Sequence, residues 1–437
     1  MRFLILTQYF APEPGAAQAR LAAFARQLVR AGHQVEVVAA MPNYPQGRIV
    51  DSYRHQFYRR ERWEGITVHR LWLYASQGAG LGRMLNYATF TLTSLVGLAK
   101  SRRPDYLFVE SPPLFLSIPG FLAARLWRVP WIFNVSDLWP DSVADLNILR
   151  SGWMLRAAFA LEAWAYRRAS YISAVTWGIH QQLENEKGVP QHKLLFLPNG
   201  VDIDLFKPLP ANKALLTCLG LEGKRVVIFP GTQGYAHGME SVLRTAEKLR
   251  HHENIHFLLV GSGSAKQQLE ADAQRLELRN MTFLDPVPPE QMPQLISTAA
   301  CGLASQRNIP LLREARSVKA LTVMSCGKPL VFAVGRDAGS FVKEAQCGLV
   351  VSVEEPDAIA DAILWLLDHP AEAAQFGRNG RDYVCRNLQW PALVGSWLQQ
   401  LPSPLLPHTG NKIYEYADPS NSSQLAVPSA SSRTRRN

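Results

Sequence analysis

No two cysteines in this chain are spaced to hold a metal or a redox couple. The five (Cys218, Cys301, Cys326, Cys347, Cys385) form no C-x-x-C pair and have no histidine at zinc-ligand spacing. A structural zinc and a dithiol oxidoreductase are both excluded, and scattered cysteines are expected as small buried hydrophobes in a reducing compartment. Long hydrophobic runs are missing too. Met84–Ala99 is apolar for 16 residues between Arg83 and Lys100, but it contains Asn86 and four Thr/Ser. It falls short of the about 20 residues a spanning helix needs. It is expected as a helix of the first domain, with core packing its main role and one face possible against lipid. The start, MRFLILTQYF, has too short an apolar run for a signal peptide, so a cytoplasmic location is expected. No G-x-G-x-x-G follows the first strand, which argues against an NAD enzyme. No repeat of solenoid length occurs.

Apolar residues, by contrast, are plentiful. At 47% hydrophobic and 19% charged, 437 residues can bury two or three cores. The net charge of +10 is uneven: residues 1–205 carry +7, residues 206–401 only +1, and the rest +2. A basic first half suits nucleic acid, an anionic membrane surface or a diphosphate-bearing acceptor, and the last two are preferred here. Within it, Arg54, Arg59, Arg60, Arg62 and Arg70 alternate with Tyr53, Phe57, Tyr58 and Trp63. Such a mixture suits a membrane interface or a polyanion; an exposed hairpin with ordinary packing is the plain alternative.

The hydrophobic pattern predicts strand–helix–strand units. Phe3–Thr7 reads as a buried strand, Gln8–Gly15 as a loop, and Ala17, Leu21, Phe24, Ala25, Leu28 and Val29 recur at helical spacing before the strand Val35–Ala39. This opens a doubly wound parallel sheet, continued by strands at Tyr106–Glu110, Trp131–Val135 and Tyr171–Ala174. A second set begins at Arg225–Pro230. Its turn, Gly231-Thr-Gln-Gly234-Tyr-Ala-His237-Gly238, precedes a helix, as a phosphate-approaching backbone would. The fold class is therefore α/β with two Rossmann-like halves. The expected divisions are 1–205, 206–388, a crossover helix at 389–401 and a disordered tail at 402–437. Asp202-Ile-Asp204 lies in the linker, away from any phosphate site, so no metal site is expected.

Leu312–Ala333 concentrates the chemistry. It reads as a loop, a helix from about Val318 to Cys326, a Gly327 stop and a strand at Pro329–Ala333. Glu314, Arg316 and Lys319 crowd that helix's N-terminus, where free N–H groups and the dipole favour an anion. In the first half, Asn134-Val-Ser-Asp137-Leu-Trp-Pro-Asp141 follows a strand. Asp137 is placed to accept a hydrogen bond from a hydroxyl, and Asp141 reads as a helix cap.

Several of these strings resemble glycosyltransferase family 4. They are the D-x-W-P-D of Asp137–Asp141, the PNGVD-x-x-x-F-x-P of Pro198–Pro208, and Cys326-Gly-Lys-Pro-Leu330. The loops Tyr9–Gly15 and Met41–Gly47 are similar to the branch acting in capsule, O-antigen and exopolysaccharide assembly. The resemblance, spanning about residues 1–400, implies the GT-B fold and retaining transfer of a sugar from a UDP- or GDP-linked donor, with no metal and no other cofactor. It implies that Glu314 holds donor-sugar hydroxyls and that Asp137 orients the acceptor. Gly15, Arg20, Gly231, Gly234, His237, Arg316 and Lys319 would lie along the donor, with Val287 at the base. A second glutamate of the pattern is replaced by Thr322. Losing its hydrogen bonds to ribose would cost ~1.5–3 kcal/mol. The implied acceptor is a polyprenyl-diphosphate-linked or other glycan, reached peripherally at the inner face of the cell membrane, with no nucleic acid. A non-catalytic scaffold or a sugar-nucleotide 2-epimerase are the alternatives.

Overall fold

A computed structural model describes residues 1–13, 15–44, 46–76, 80–141, 152–309, 317–335 and 339–402. Residues 1–400 form one compact unit; a second begins at Leu401, and residues 403–437, including the expected disordered tail, lie outside the described residues.

Within the unit, two sheets have separate cores. The first comprises β1 (Arg2–Leu6), β2 (Gln34–Ala40), β3 (Tyr58–Trp63), β4 (Ile66–Leu71), β5 (Tyr106–Ser111), β6 (Trp131–Val135), β7 (Tyr171–Ala174) and β8 (Leu194–Phe196). Their order is β3-β4-β2-β1-β5-β6-β7-β8, with every neighbouring pair parallel except β3 and β4. The second comprises β9 (Arg225–Pro230), β10 (Ile255–Val260), β11 (Met281–Leu284), β12 (Cys301–Ser305), β13 (Leu330–Val334) and β14 (Gly348–Ser352). It is wholly parallel, in the order β11-β10-β9-β12-β13-β14. The short apolar runs FLIL, VVIF and LVFA are buried because helices cover both faces of such a sheet.

Both sheets are wound outward from an inner strand. Phe3 of β1 pairs with Val35 and with Tyr106, and Val227 of β9 with Phe257 and Cys301. The direction of winding reverses beside β1 and beside β9. Ligands of open α/β sheets bind at the carboxyl ends of strands at such reversals. Gln8 to Gly15 follow β1, and Gly231 to Gly238 follow β9.

The last helix, Trp390–Gln400, returns to the first half. Trp397 is fully buried among Phe3, Phe24 and Phe108, with ring centroids 5.1–6.2 Å apart. Gln400 Oε1 accepts the Phe196 N–H at 2.8 Å, and Val201 of the linker bridges to Gln389. Asp202 accepts the N–H groups of Asp204 and Leu205, so it closes the linker turn.

The basic–aromatic run at 53–70 is the β3–β4 hairpin, and one of its charges is not on the surface. Arg70 is fully buried, donating to Glu61 Oε1 at 2.8 Å and to the carbonyls of Ala40 and Ala11. Arg59 lies over the Tyr53 ring at 4.7 Å. Much of this charge is structural.

Candidate donor and acceptor sites

The second half supplies a glycine cradle under a buried cation. After β9 the chain turns at Gly231, whose φ of 102° favours glycine. The β10 turn lies directly against it. A Cβ on Gly261 would sit 2.2 Å from Gly231 O, and one on Gly263 would sit 2.1 Å from Gln233 O. Only glycines allow these two turns to touch. The Gln233 N–H donates to Ser262 O at 2.8 Å. Gln233 itself is fully buried, and both atoms of its side-chain amide lack a partner.

Lys319 stands in the first turn of the helix Val318–Ser325. Its stem covers Gly231: a Cβ there would meet Lys319 Cε at 3.6 Å and Cγ at 3.7 Å. Its ammonium lies 5.4 Å from the centroid of the Phe229 ring and 3.0 Å from His237 Nε2. Burial pulls the Lys319 amine down to about 7. Burial, then the neighbouring Lys319 charge, pulls His237 down to about 3, so its imidazole is neutral at physiological pH. The ammonium therefore donates to Nε2, which leaves the proton on His237 Nδ1, a buried atom with no partner. The arrangement is a cation at a helix head, above a half-buried glycine turn, with one neutral partner among the described residues. Such a site attracts an anion.

Other expected donor residues lie around it. Gly234 is in the same turn, its Cβ direction 3.9 Å from His237 Cδ2. Thr322 is one turn along the helix from Lys319, with its hydroxyl donating back to Lys319 O at 2.9 Å. Val287 is half-buried after β11, on the same edge of the sheet. Asp285, just before it, is exposed and paired with Lys266 Nζ at 2.7 Å. Glu314 and Arg316 lie outside the described residues.

The first half differs at Arg20. Expected at the donor phosphates, it forms a buried ion pair with Glu110, a pairing 90 residues apart that spacing does not reveal. Burial pushes the Glu110 carboxyl up. Arg20, Ser136 Oγ at 2.8 Å and Asn134 Nδ2 at 2.8 Å pull it back. Because Ser136 joins this network, the half-buried Asp137 next to it is held at the end of β6. Asp141 binds Lys187 Nζ at 2.6 Å, and Glu162 shares that ammonium at 3.0 Å. The residues after Asp141 are outside the described set, so the expected cap has no described helix to cap. Gly15, with φ 147°, starts the helix Ala16–Arg30.

Sequence reasoning missed Glu13, Glu110 and Gln233. Glu13 is buried, and its Oε1 accepts the N–H groups of Asn43 at 2.7 Å and Tyr44 at 2.8 Å. It ties the Tyr9–Gly15 loop to the Met41–Gly47 loop. Its place in the first of those loops was the available signal, since a carboxylate between two prolines needs donors from elsewhere. Among the described residues no cluster of His, Cys, Asp or Glu is arranged to hold a metal ion, and no helix is long and apolar enough to cross a membrane.

Residues 15–200 match the glycosyl transferase 4-like domain, and residues 219–383 match the glycosyl transferases of group 1. An Escherichia coli K12 protein, described as the colanic acid biosynthesis glycosyl transferase WcaI, is 31% identical over 291 residues. That match covers 64% of this chain and 70% of the relative. A Mycolicibacterium smegmatis protein is 25% identical, over 67% of this chain and 82% of its own length. It is the GDP-mannose-dependent α-(1-6)-phosphatidylinositol monomannoside mannosyltransferase. Among solved structures, Anabaena HepE in complex with UDP and glucose superposes with a TM-score of 0.67. It is 19% identical and covers 91% of this chain and 98% of its own.

Proposed function

The chain belongs to the glycosyltransferases that join a 4-like domain to a group 1 domain on the GT-B fold, and on that premise we propose a complete reaction for it. It moves a sugar from a nucleoside diphosphate donor, UDP- or GDP-linked, to a lipid-linked glycan at the inner membrane face, in cell-surface polysaccharide assembly. Transfer proceeds with retention and without a metal or other cofactor.

The observation that carries this reading is the Lys319 ammonium, buried above the Gly231 turn with a neutral imidazole as its one side-chain partner among the described residues. As the bond from the sugar to the diphosphate breaks, negative charge grows on the leaving phosphate. A desolvated ammonium and the helix head are fixed in place to receive it, beside a turn whose Gly231 and Gln233 N–H groups are held by Val260 O and Ser262 O and whose Thr232 and Gly234 N–H groups remain for the ligand. Preorganised charge of this kind needs no reorganisation during the step. His237 adds a hydrogen bond but no charge. Asp137, at the end of β6, receives the acceptor hydroxyl. Support for the donor and acceptor classes comes from the relatives: one is described as acting in colanic acid biosynthesis, one as using GDP-mannose and a phosphatidylinositol glycan, and one was solved with UDP.

The scaffold alternative draws on Thr322, whose hydroxyl is turned back onto its own helix. Turnover separates the two readings. The full chain is incubated with UDP- and GDP-linked sugars and a polyprenyl-diphosphate glycan, and release of nucleoside diphosphate is followed. Acceptor-dependent release from one donor class is expected. Nucleotide binding without release from any donor would favour the scaffold.

A further inference from the structure

Two neighbouring helices of the first half carry large apolar side chains on their outer faces as well as in the core. In Leu81–Lys100 the exposed positions are Leu85, Ala88, Leu92, Leu95 and Ala99, followed by Lys100. They fall at helical spacing along one stripe. The face turned to the protein buries Phe90 and Leu98 together with Asn86, Thr93 and Ser94. The helix Ser117–Trp127, which packs against it, repeats the pattern: Ser117, Gly120, Ala123 and Ala124 are buried, and Ile118, Leu122 and Leu126 are exposed. Leu92 is 68% exposed, Leu122 51% and Leu126 80%.

Both helices lie close on the sheet. A Cβ on Gly97 would sit 2.6 Å from Leu71 Cδ2, and one on Gly120 2.7 Å from Val109 Cγ2. Small residues are needed at those two points, while Phe90 and Leu98 still reach the core beside them. The buried polar groups of the first helix are satisfied: Gln8 Nε2 donates to Asn86 Oδ1 at 2.6 Å, Asn86 Nδ2 to Tyr74 O at 2.8 Å, and Thr93 Oγ1 to Trp72 O at 2.7 Å. Nothing in that arrangement requires leucine outside, where serine or lysine would cost no packing. A single exposed leucine needs no explanation, but a contiguous stripe across two helices marks a contact surface.

The charges around the stripe are mostly cationic. Lys100 ends the first helix, Arg102 and Arg103 follow it, and Arg125 and Arg128 end the second; all five are exposed. Glu36, which accepts the Arg102 N–H at 3.2 Å, and the exposed Asp105 stand against these five cations. Between residues 81 and 135 the only acids are Asp105 and Glu110, and Glu110 is buried against Arg20. Trp72 and Tyr74, also exposed, run beside the stripe. Leucines flanked by Lys/Arg with Trp and Tyr at the margin match an anionic bilayer surface, where side chains enter the acyl boundary and cations meet headgroups. A second copy docked about a two-fold axis would set basic rim against basic rim.

We propose that the face formed by Leu81–Lys100 and Ser117–Trp127 is the surface by which this protein docks on an anionic lipid bilayer. Through Gln8 and Asn86 the same helix is tied to the loop after β1. Docking would therefore hold the acceptor end of the first half beside the membrane. The purpose rests on the lipid-linked acceptor proposed above, but the docking itself does not.

The test is co-sedimentation of the full chain with phosphatidylcholine vesicles, with and without phosphatidylglycerol, for the wild type and for Leu92→Glu with Leu122→Glu. Both changes replace exposed side chains, so unchanged melting and unchanged UDP or GDP titration report an intact fold and cradle. The wild type is expected to bind the phosphatidylglycerol vesicles, more weakly as salt rises, and the double variant to lose more than tenfold at every salt concentration. Equal binding by the variant, or none by the wild type, would overturn the proposal. So would a wild-type dimer in sedimentation velocity that the variant abolishes, which would give the face to a second copy. Vesicle binding by a chain that binds no nucleotide would leave this inference standing while the proposed function fell.

Discussion

Glu13 in the first half and Lys319 in the second are both buried, and burial pulls both to about 7, one from below and one from above. Their surroundings are otherwise opposite. Glu13 receives two backbone N–H groups and feels the charge of Arg70, while its second oxygen has no partner. Lys319 has one neutral nitrogen beside it and, among the described residues, no acid. Burial alone does not mark a ligand site. Glu13 is held in place by what surrounds it and joins two loops; Lys319 presents a charge that the described residues leave uncompensated. The first half spends its buried charges on structure, and the second keeps one for an anion.

Breaking a structural pair should cost the most. Arg20→Met strands the Glu110 carboxylate, and a loss of ~3–5 kcal/mol of stability is expected in denaturant titration, with nucleotide affinity unchanged. A variant that kept its stability and lost nucleotide affinity would return Arg20 to the donor site. Lys319→Met should do the reverse. Hydrogen bonds to a charged group are worth ~1.5–3 kcal/mol, so nucleotide binding should weaken ten- to a hundredfold with little change in melting.

Glu13→Gln sharpens the contrast through pH. The folded carboxyl titrates near 7, above its unfolded value. Its contribution to stability is therefore full below the unfolded value and is lost as pH rises through 7. Glutamine keeps an acceptor for Asn43 and Tyr44 and never ionises. Relative to wild type it should gain on the order of 1–3 kcal/mol between pH 5 and pH 8, read from melting curves at each pH. The smallest effect belongs to Lys319 in the wild type. A bound phosphate raises its pKa, so nucleotide binding takes up a proton above pH 7 and weakens several-fold per pH unit there. Calorimetry in buffers of different ionisation enthalpy measures that proton directly.

The fold was largely legible because parallel strands covered on both faces are short unbroken apolar runs. Arg225–Pro230, Cys301–Ser305 and Trp131–Val135 carry their boundaries in their composition. The glycine turn and Lys319 were legible for a similarly local reason: phosphate approach needs glycine, and Gly327 marks where the helix ends, one helix length after Val318. Long-range pairing was not legible. Arg20 meets Glu110, and Arg70 meets Ala11, only after the sheet forms. Leu81–Lys100 exposes a different limit. Its helical period was plain, and Phe90 and Leu98 do pack in the core, but composition alone did not tell them from Leu85, Leu92 and Leu95, which face outward.

The most direct measurement is calorimetric titration of the full chain with UDP and with GDP, alongside Lys319→Met at the same pH. Micromolar binding of one nucleotide by the wild type, lost at least tenfold in the variant, is the expected result. Equal affinity in the two proteins, or no binding of either nucleotide by the wild type, would contradict a donor site between Lys319 and the Gly231 turn.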